Sequence, residues 1–205
     1  MTDQLAADFP RELRRIAAPV LIMVVAMWAL EAVDVLFRGR LDGLGIRSRT
    51  TEGLLGVPLS PFLHGGFAHL VANTVPFIAL GLLVAWRSEG RIWPVTVTIG
   101  VLGGLGVWLL GPANTVTIGA SGLVFGLLGY LLTAGVITRT PLDIVIAGVV
   151  LIVYGGLLGG MLPFTVPAGV SWIAHLSGAV AGIVAAIIFA PRRPIRGSVT
   201  DSAAD

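Results

Sequence analysis

Long apolar runs alternate along this chain with short polar breaks. The runs extend over Val20–Phe37, Phe67–Trp86, Ile92–Leu110, Ala120–Ile137, Leu142–Gly160 and Trp172–Ala190. Each holds 18–20 residues, which at about 1.5 Å of rise per residue covers about 30 Å, the thickness of a bilayer's hydrocarbon core. The pattern predicts an all-α, polytopic membrane protein with six transmembrane helices. Between spans 2 and 3 lies a tight turn with Arg87, Glu89 and Arg91, and between spans 4 and 5 a turn through Thr138-Arg139-Thr140-Pro141. The break between spans 1 and 2 is much longer, 38–66, rich in Gly and Pro, and loops of that length usually carry function.

Composition agrees with the pattern. The chain is 56% hydrophobic and 12% charged, about half the charge of an ordinary soluble domain. With no cysteine, disulfides, thiolate metal sites and a cysteine nucleophile are excluded. All 13 basic residues are arginine and the net charge is only +2, too little and too scattered for a nucleic-acid surface. The arginines instead report topology. Nine lie in the head, the 87–91 turn, the 138–141 turn and the tail, against four on the other side, all within 38–66. Both termini are therefore expected in the cytoplasm of a multi-pass cell (inner) membrane protein. The expected division is a cytoplasmic segment 1–18, a six-helix domain 19–190 with 38–66 as its long outer loop, and a basic, disordered cytoplasmic tail 191–205. Span 1 carries Glu31 and Asp34 and is too long for a signal-peptide core. These acids are one turn apart on one face and expected near the outer end, facing protein, with Asp34 spaced to pair with Arg38.

In that orientation spans 2, 4 and 6 all enter from the outer side, and each carries its unusual polar residues in its first two turns. His69 with Asn73, Ser121, and His175 are thereby brought into one layer within roughly 10 Å of the outer surface. Ser121 sits between Gly119 and Gly122, where the backbone can turn tightly and the first N–H groups of the helix are left without partners. The plainer reading is a serine N-cap on a packed membrane helix. On span 4, Gly122, Gly126 and Gly129 form a smooth stripe, and on span 6 Gly178 and Gly182 share a face with His175, so the two backbones can approach closely. That contact would carry the imidazole toward Ser121.

A hydroxyl with an imidazole has the composition of a nucleophile and its general base. Spans 2, 4 and 6 contain no acid, so the expectation is a Ser121–His175 dyad rather than a triad. Phe125, one turn after Ser121, is placed to stack on His175. His69 and Asn73, with the Ser121 N–H, could donate hydrogen bonds to an oxyanion; alternatively they hold helices together. His64 is expected to be a structural hydrogen bonder in the loop.

The segments His64-Gly65-Gly66-Phe67-Ala68-His69-Leu70-Val71-Ala72-Asn73, Gly119-Ala120-Ser121-Gly122 and Ala174-His175-Leu176-Ser177-Gly178, with Gly182 beyond, resemble the rhomboid intramembrane serine proteases over about Pro58 to Ala190. The resemblance implies the simple six-helix bacterial form, Ser121 as nucleophile, His175 as base, and His69 and Asn73 stabilising the oxyanion. It implies no cofactor and no metal. The implied substrates are single-pass transmembrane proteins, cut in or beside the outer end of their helix within the lipid bilayer. Two positions depart from the family pattern. Arg47 and Arg49 occur without the tryptophan of the Trp-Arg pair that many members carry in the first outer loop, and Phe125 stands where some members have tyrosine. Other classes fit less well. A small transporter would carry polar positions across the whole membrane, and the three histidines lack a zinc protease's acidic partner and spacing. A catalytically inactive, client-binding relative would not need both dyad positions.

Overall fold

The computed structural model describes residues 2–191; of the tail expected over 191–205, all but Pro191 lie outside the described residues. Seven α-helices account for nearly the whole fold: α1 (Thr2–Leu36), α2 (Thr51–Leu59), α3 (Phe67–Arg87), α4 (Ile92–Leu110), α5 (Ser121–Thr138), α6 (Pro141–Tyr154) and α7 (Trp172–Phe189). Two short strands, β1 (Ile46–Arg47) and β2 (Val116–Thr117), pair antiparallel. Among the described residues, six segments are long and apolar enough to cross a membrane: Pro10–Leu36, α3, α4, α5, Pro141–Met161 and α7. Helix α1 begins well before its apolar run, so the 1–18 head is largely helical.

Helix α5 is the post around which the others stand. Of its span 61% is buried, against 11% for Pro141–Met161, and α3, α4, α6 and α7 all pack on it. Its buried Leu127, Leu128 and Tyr130 meet Phe77 and Leu80 of α3 and Ile99 of α4 in one apolar core. Inside a bilayer such packing has no water to expel, so close backbone approach is what holds helices together. The glycine stripes supply it. A methyl at Gly178 would land on the Gly122 carbonyl, and one at Gly182 on the Gly126 carbonyl. At one end of the bundle Arg87 of α3 grips Asp143 of α6 through two bonds of 2.6 and 3.0 Å. The hydroxyls of Thr138 and Thr140 donate to the same carboxylate.

At the other end, the 38–66 loop is folded. Thr50 caps α2 by accepting the Gly53 N–H at 3.0 Å. The loop is tied to the end of α4: Ser48 Oγ donates to the Val107 carbonyl at 3.1 Å, Arg49 Nη1 to the Leu109 and Gly111 carbonyls at 3.1 and 2.8 Å, and Trp108 Nε1 to the Thr50 carbonyl at 2.8 Å. Glu31 and Asp34 are both buried, 3% and 5% exposed, as a face turned to protein requires. The expected Asp34–Arg38 pair is not formed. Asp34 Oδ1 instead accepts the Leu41 N–H at 2.7 Å, because the chain turns at Arg38, φ +58°, and brings a backbone donor with no helical partner to the carboxylate.

Candidate active site

The elbow before α5 is held from three directions. Gly119 has φ +110°, where side-chain-bearing residues are strained, and a methyl there would stand 2.7 Å from His69 Cε1 and 2.8 Å from Nε2. Its N–H donates to the Ser60 carbonyl at 2.8 Å. The Ala120 N–H donates to His64 Nε2 at 3.3 Å, and the His64 ring lies edge-on to His69 with centroids 5.1 Å apart. His64 is 1% exposed. Burial, with the neighbouring His69 adding to it and the Phe62 carbonyl opposing it, pushes its pKa down to about 4. The ring is therefore neutral near pH 7, and Nε2 keeps the lone pair that Ala120 needs.

Ser121 is the first residue of α5, and the N-cap is Ala120, whose side chain caps nothing. The plainer reading of Ser121 as an N-cap is thus not the one adopted, and its hydroxyl is not engaged in closing the helix. As at any helix start, the N–H groups of Ser121, Gly122 and Leu123 have no carbonyl of their own helix to bond.

His175 lies in the first turn of α7, which Ser171 caps by accepting the Ala174 N–H at 3.2 Å. Phe125 stacks on the imidazole with centroids 4.1 Å apart and planes at 10°. Nδ1 stands 2.8 Å from the Gly160 carbonyl. A carbonyl oxygen can only accept, so Nδ1 carries the proton and, in the neutral ring, Nε2 carries the lone pair. His69, Asn73, Ser121, Phe125 and His175 together line one cavity of about 830 Å³. Ser121 and His175 share it without a direct hydrogen bond among the described residues. Catalytic contacts commonly tighten only when substrate is bound. Asn73 is 5% exposed and gives one amide proton to the His69 carbonyl at 3.1 Å, leaving the second for another acceptor.

A family profile described as the Rhomboid domain matches residues 52–192. The chain belongs to the rhomboid family. An uncharacterized protein of Mycobacterium tuberculosis is 47% identical over 141 residues, 66% of this chain and 59% of its own length. An uncharacterized protein of Mycobacterium leprae is 40% identical over 141 residues, 66% of this chain and 56% of its own. A Bacillus subtilis protein named provisionally as a rhomboid protease is 35% identical over 71 residues, 34% of this chain and 36% of its own. This rhomboid thus spans a little over half the length of the mycobacterial relatives. It is a multi-pass membrane protein of a family of intramembrane serine proteases.

Within the rhomboid domain, Gly119 backs onto His69 and Asn73, and Gly122 and Gly178 lie in the α5–α7 contact. His64 is not part of the cavity lining and sits behind the elbow. The Gly160 carbonyl was not foreseen. It belongs to a 3-10 turn, Gly155–Met161, and the available signal was the glycine-rich run Gly155-Gly156-Leu157-Leu158-Gly159-Gly160 at the end of an otherwise regular span.

Proposed function

We propose that this rhomboid is an active serine endopeptidase that cuts a peptide bond in or next to the outer end of a substrate's transmembrane helix. The observation that carries the proposal is the cavity in which a hydroxyl, an imidazole with its Nε2 free and two further donors, from three different helices, face one space. Nε2 of His175 takes the proton as Ser121 Oγ attacks the carbonyl carbon. The developing oxyanion is met by the second amide proton of Asn73, a ring N–H of His69 and the backbone N–H of Ser121. Protonated His175 then passes its proton to the leaving amine, and water repeats the sequence to release the acyl group. The imidazolium is steadied by the Gly160 carbonyl and the face of Phe125 rather than by a carboxylate.

The arginine distribution supports a site toward the outer face, with both termini in the cytoplasm. A helical substrate carbonyl is already bonded to its own backbone, so a cleavable segment must be extended. Substrates with Gly, Pro or other weak helix formers at the outer end of a single transmembrane segment are therefore favoured, with a small residue before the cut to fit beside Gly119, Gly122 and Phe125. The test is covalent labelling by a fluorophosphonate in detergent, together with cleavage of a model transmembrane substrate. Wild-type protein is expected to react in both assays, and Ser121→Ala and His175→Ala in neither. A wild-type protein that is folded but inert in both would overturn the proteolytic reading in favour of a relative without catalysis.

A further inference from the structure

We infer that Gly160 is a positioning residue for His175, its backbone carbonyl holding the imidazole in the tautomer that the proposed chemistry needs. The inference rests on the proteolytic reading of the site and adds a residue to it. Three observations converge. The Nδ1–carbonyl contact, at 2.8 Å, is the one polar contact the ring makes among the described residues. The ring cannot slide away from it, because Phe125 lies flat on one face and His175 is 8% exposed. Position 160 also accepts little more than a hydrogen: a methyl there would stand 3.0 Å from Phe125 Cζ and 3.2 Å from His175 Nδ1, tighter than ordinary van der Waals contact. A larger residue would push the carbonyl off the ring.

Among the described residues no carboxylate contacts the ring to do this instead. Residues 155–161 contain no titratable side chain, α5 carries only Tyr130, more than one turn beyond Phe125, and the titratable group that faces His175 is His69 of α3. Without an acceptor at Nδ1 the neutral ring is free to put its proton on Nε2, and a ring in that state cannot take a proton from Ser121. The same carbonyl also keeps the ring plane fixed while Nε2 gains and returns a proton, so the cost of misplacement falls on turnover and not on substrate binding.

Gly160→Ala tests this against Gly156→Ala and Gly159→Ala, where a methyl meets nothing within 4 Å and the same backbone change is made without touching the ring. Two quantities are read: kcat and KM on a model transmembrane substrate, and the His175 tautomer by 15N resonances of histidine-labelled protein in micelles, assigned by comparison with His64→Asn and His69→Asn. The wild type is expected to show protonated Nδ1. Gly160→Ala is expected to lower kcat by about 10- to 100-fold with KM changed less than about two-fold and the tautomer population shifted toward Nε2–H, while both control variants match the wild type. A wild type with protonated Nε2, or a Gly160→Ala protein whose activity falls with the tautomer unchanged, would overturn the inference, as would unchanged turnover. A wild-type protein that neither labels with fluorophosphonate nor cleaves would instead bring down the proteolytic reading, and this inference with it.

Discussion

Replacing Gly178 by alanine probes how closely the proposed chemistry depends on the distance between two helix backbones. The added methyl would stand 2.8 Å from the Gly122 carbonyl carbon and 3.0 Å from its Cα, with the carbonyl oxygen nearer still. These are backbone atoms, so no side chain can swing away, and ordinary contact is regained only if α5 and α7 separate by about 1 Å. Ser121 stands one residue before Gly122, and His175 stands three before Gly178, so the separation opens directly between hydroxyl and imidazole. Overpacking of this kind costs roughly 1–3 kcal/mol of stability, and a misplacement of about 1 Å costs about 10²-fold in rate. Turnover of a model substrate in proteoliposomes should therefore drop by about two orders of magnitude in folded Gly178→Ala protein. Thermal aggregation in micelles should report the smaller loss of stability. Gly148→Ala on α6, where a methyl meets nothing within 4 Å, should cost no activity and gain helix propensity. A Gly178→Ala enzyme within about three-fold of wild type would refute the idea that this backbone contact sets the catalytic distance.

Asn73→Ala should lower kcat by about 10²–10³, as expected for loss of one oxyanion donor, and an effect confined to stability would make Asn73 a helix contact only. Arg87→Gln should cost about 3 kcal/mol, since it leaves the buried Asp143 carboxylate with only its hydroxyl donors; the replacement of both residues by leucine should cost less, and thermal aggregation of the single and double variants reads the difference. Because His64 stays neutral in the fold down to about pH 4, against an ordinary value of 6.5, the unfolded chain binds the extra proton first. Stability should thus be full above about pH 6.5 and fall as pH drops toward 4. His64→Asn should flatten that slope in a melting series across this range, and an unchanged slope would remove His64 as its source.

Hydropathy made the spans legible because a bilayer demands the same length and the same apolar content of every crossing segment. The α4 bounds match the apolar run at both ends, and α7 ends one residue short of its run. The α5–α7 contact was legible for a related reason: glycine at helical spacing has few uses in lipid besides backbone approach. What escaped is what side-chain type does not encode. Helix α2 is nine residues long with Pro58 inside it and is stabilised by contacts with α4 rather than by its own propensities. The pairing of Ile46–Arg47 with Val116–Thr117 joins segments 70 residues apart, which no local pattern announces. Asp34 found a backbone N–H instead of Arg38, and His175 found a backbone carbonyl, and neither partner can be read from residue identity. For Ser121 the neighbours were informative: a glycine on the left-handed side of φ two residues upstream puts the N-cap at Ala120 and so frees the hydroxyl.

The span that ends at Gly160 is built in two gauges. Fourteen residues of α-helix, Pro141–Tyr154, are followed by seven of 3-10 helix, Gly155–Met161. At rises of about 1.5 and 2.0 Å per residue the two parts reach about 35 Å, where the same residues wound wholly as α-helix would reach about 31 Å. Rewinding the 3-10 part as α-helix would shorten the segment by about 4 Å, and glycine at four of its last seven positions would keep the backbone cost of that change low. Few neighbours hold it, since this span is the least buried of the six, so the thickness of the surrounding lipid acts on it almost directly. Each residue turned from 3-10 to α rotates about 20° less, and over the segment the Gly160 carbonyl would be wound well away from His175. A thin bilayer would favour the shorter form and a thick one the longer. On the proposed role of Gly160, lipid chain length would become a mechanical input to the tautomer of a histidine.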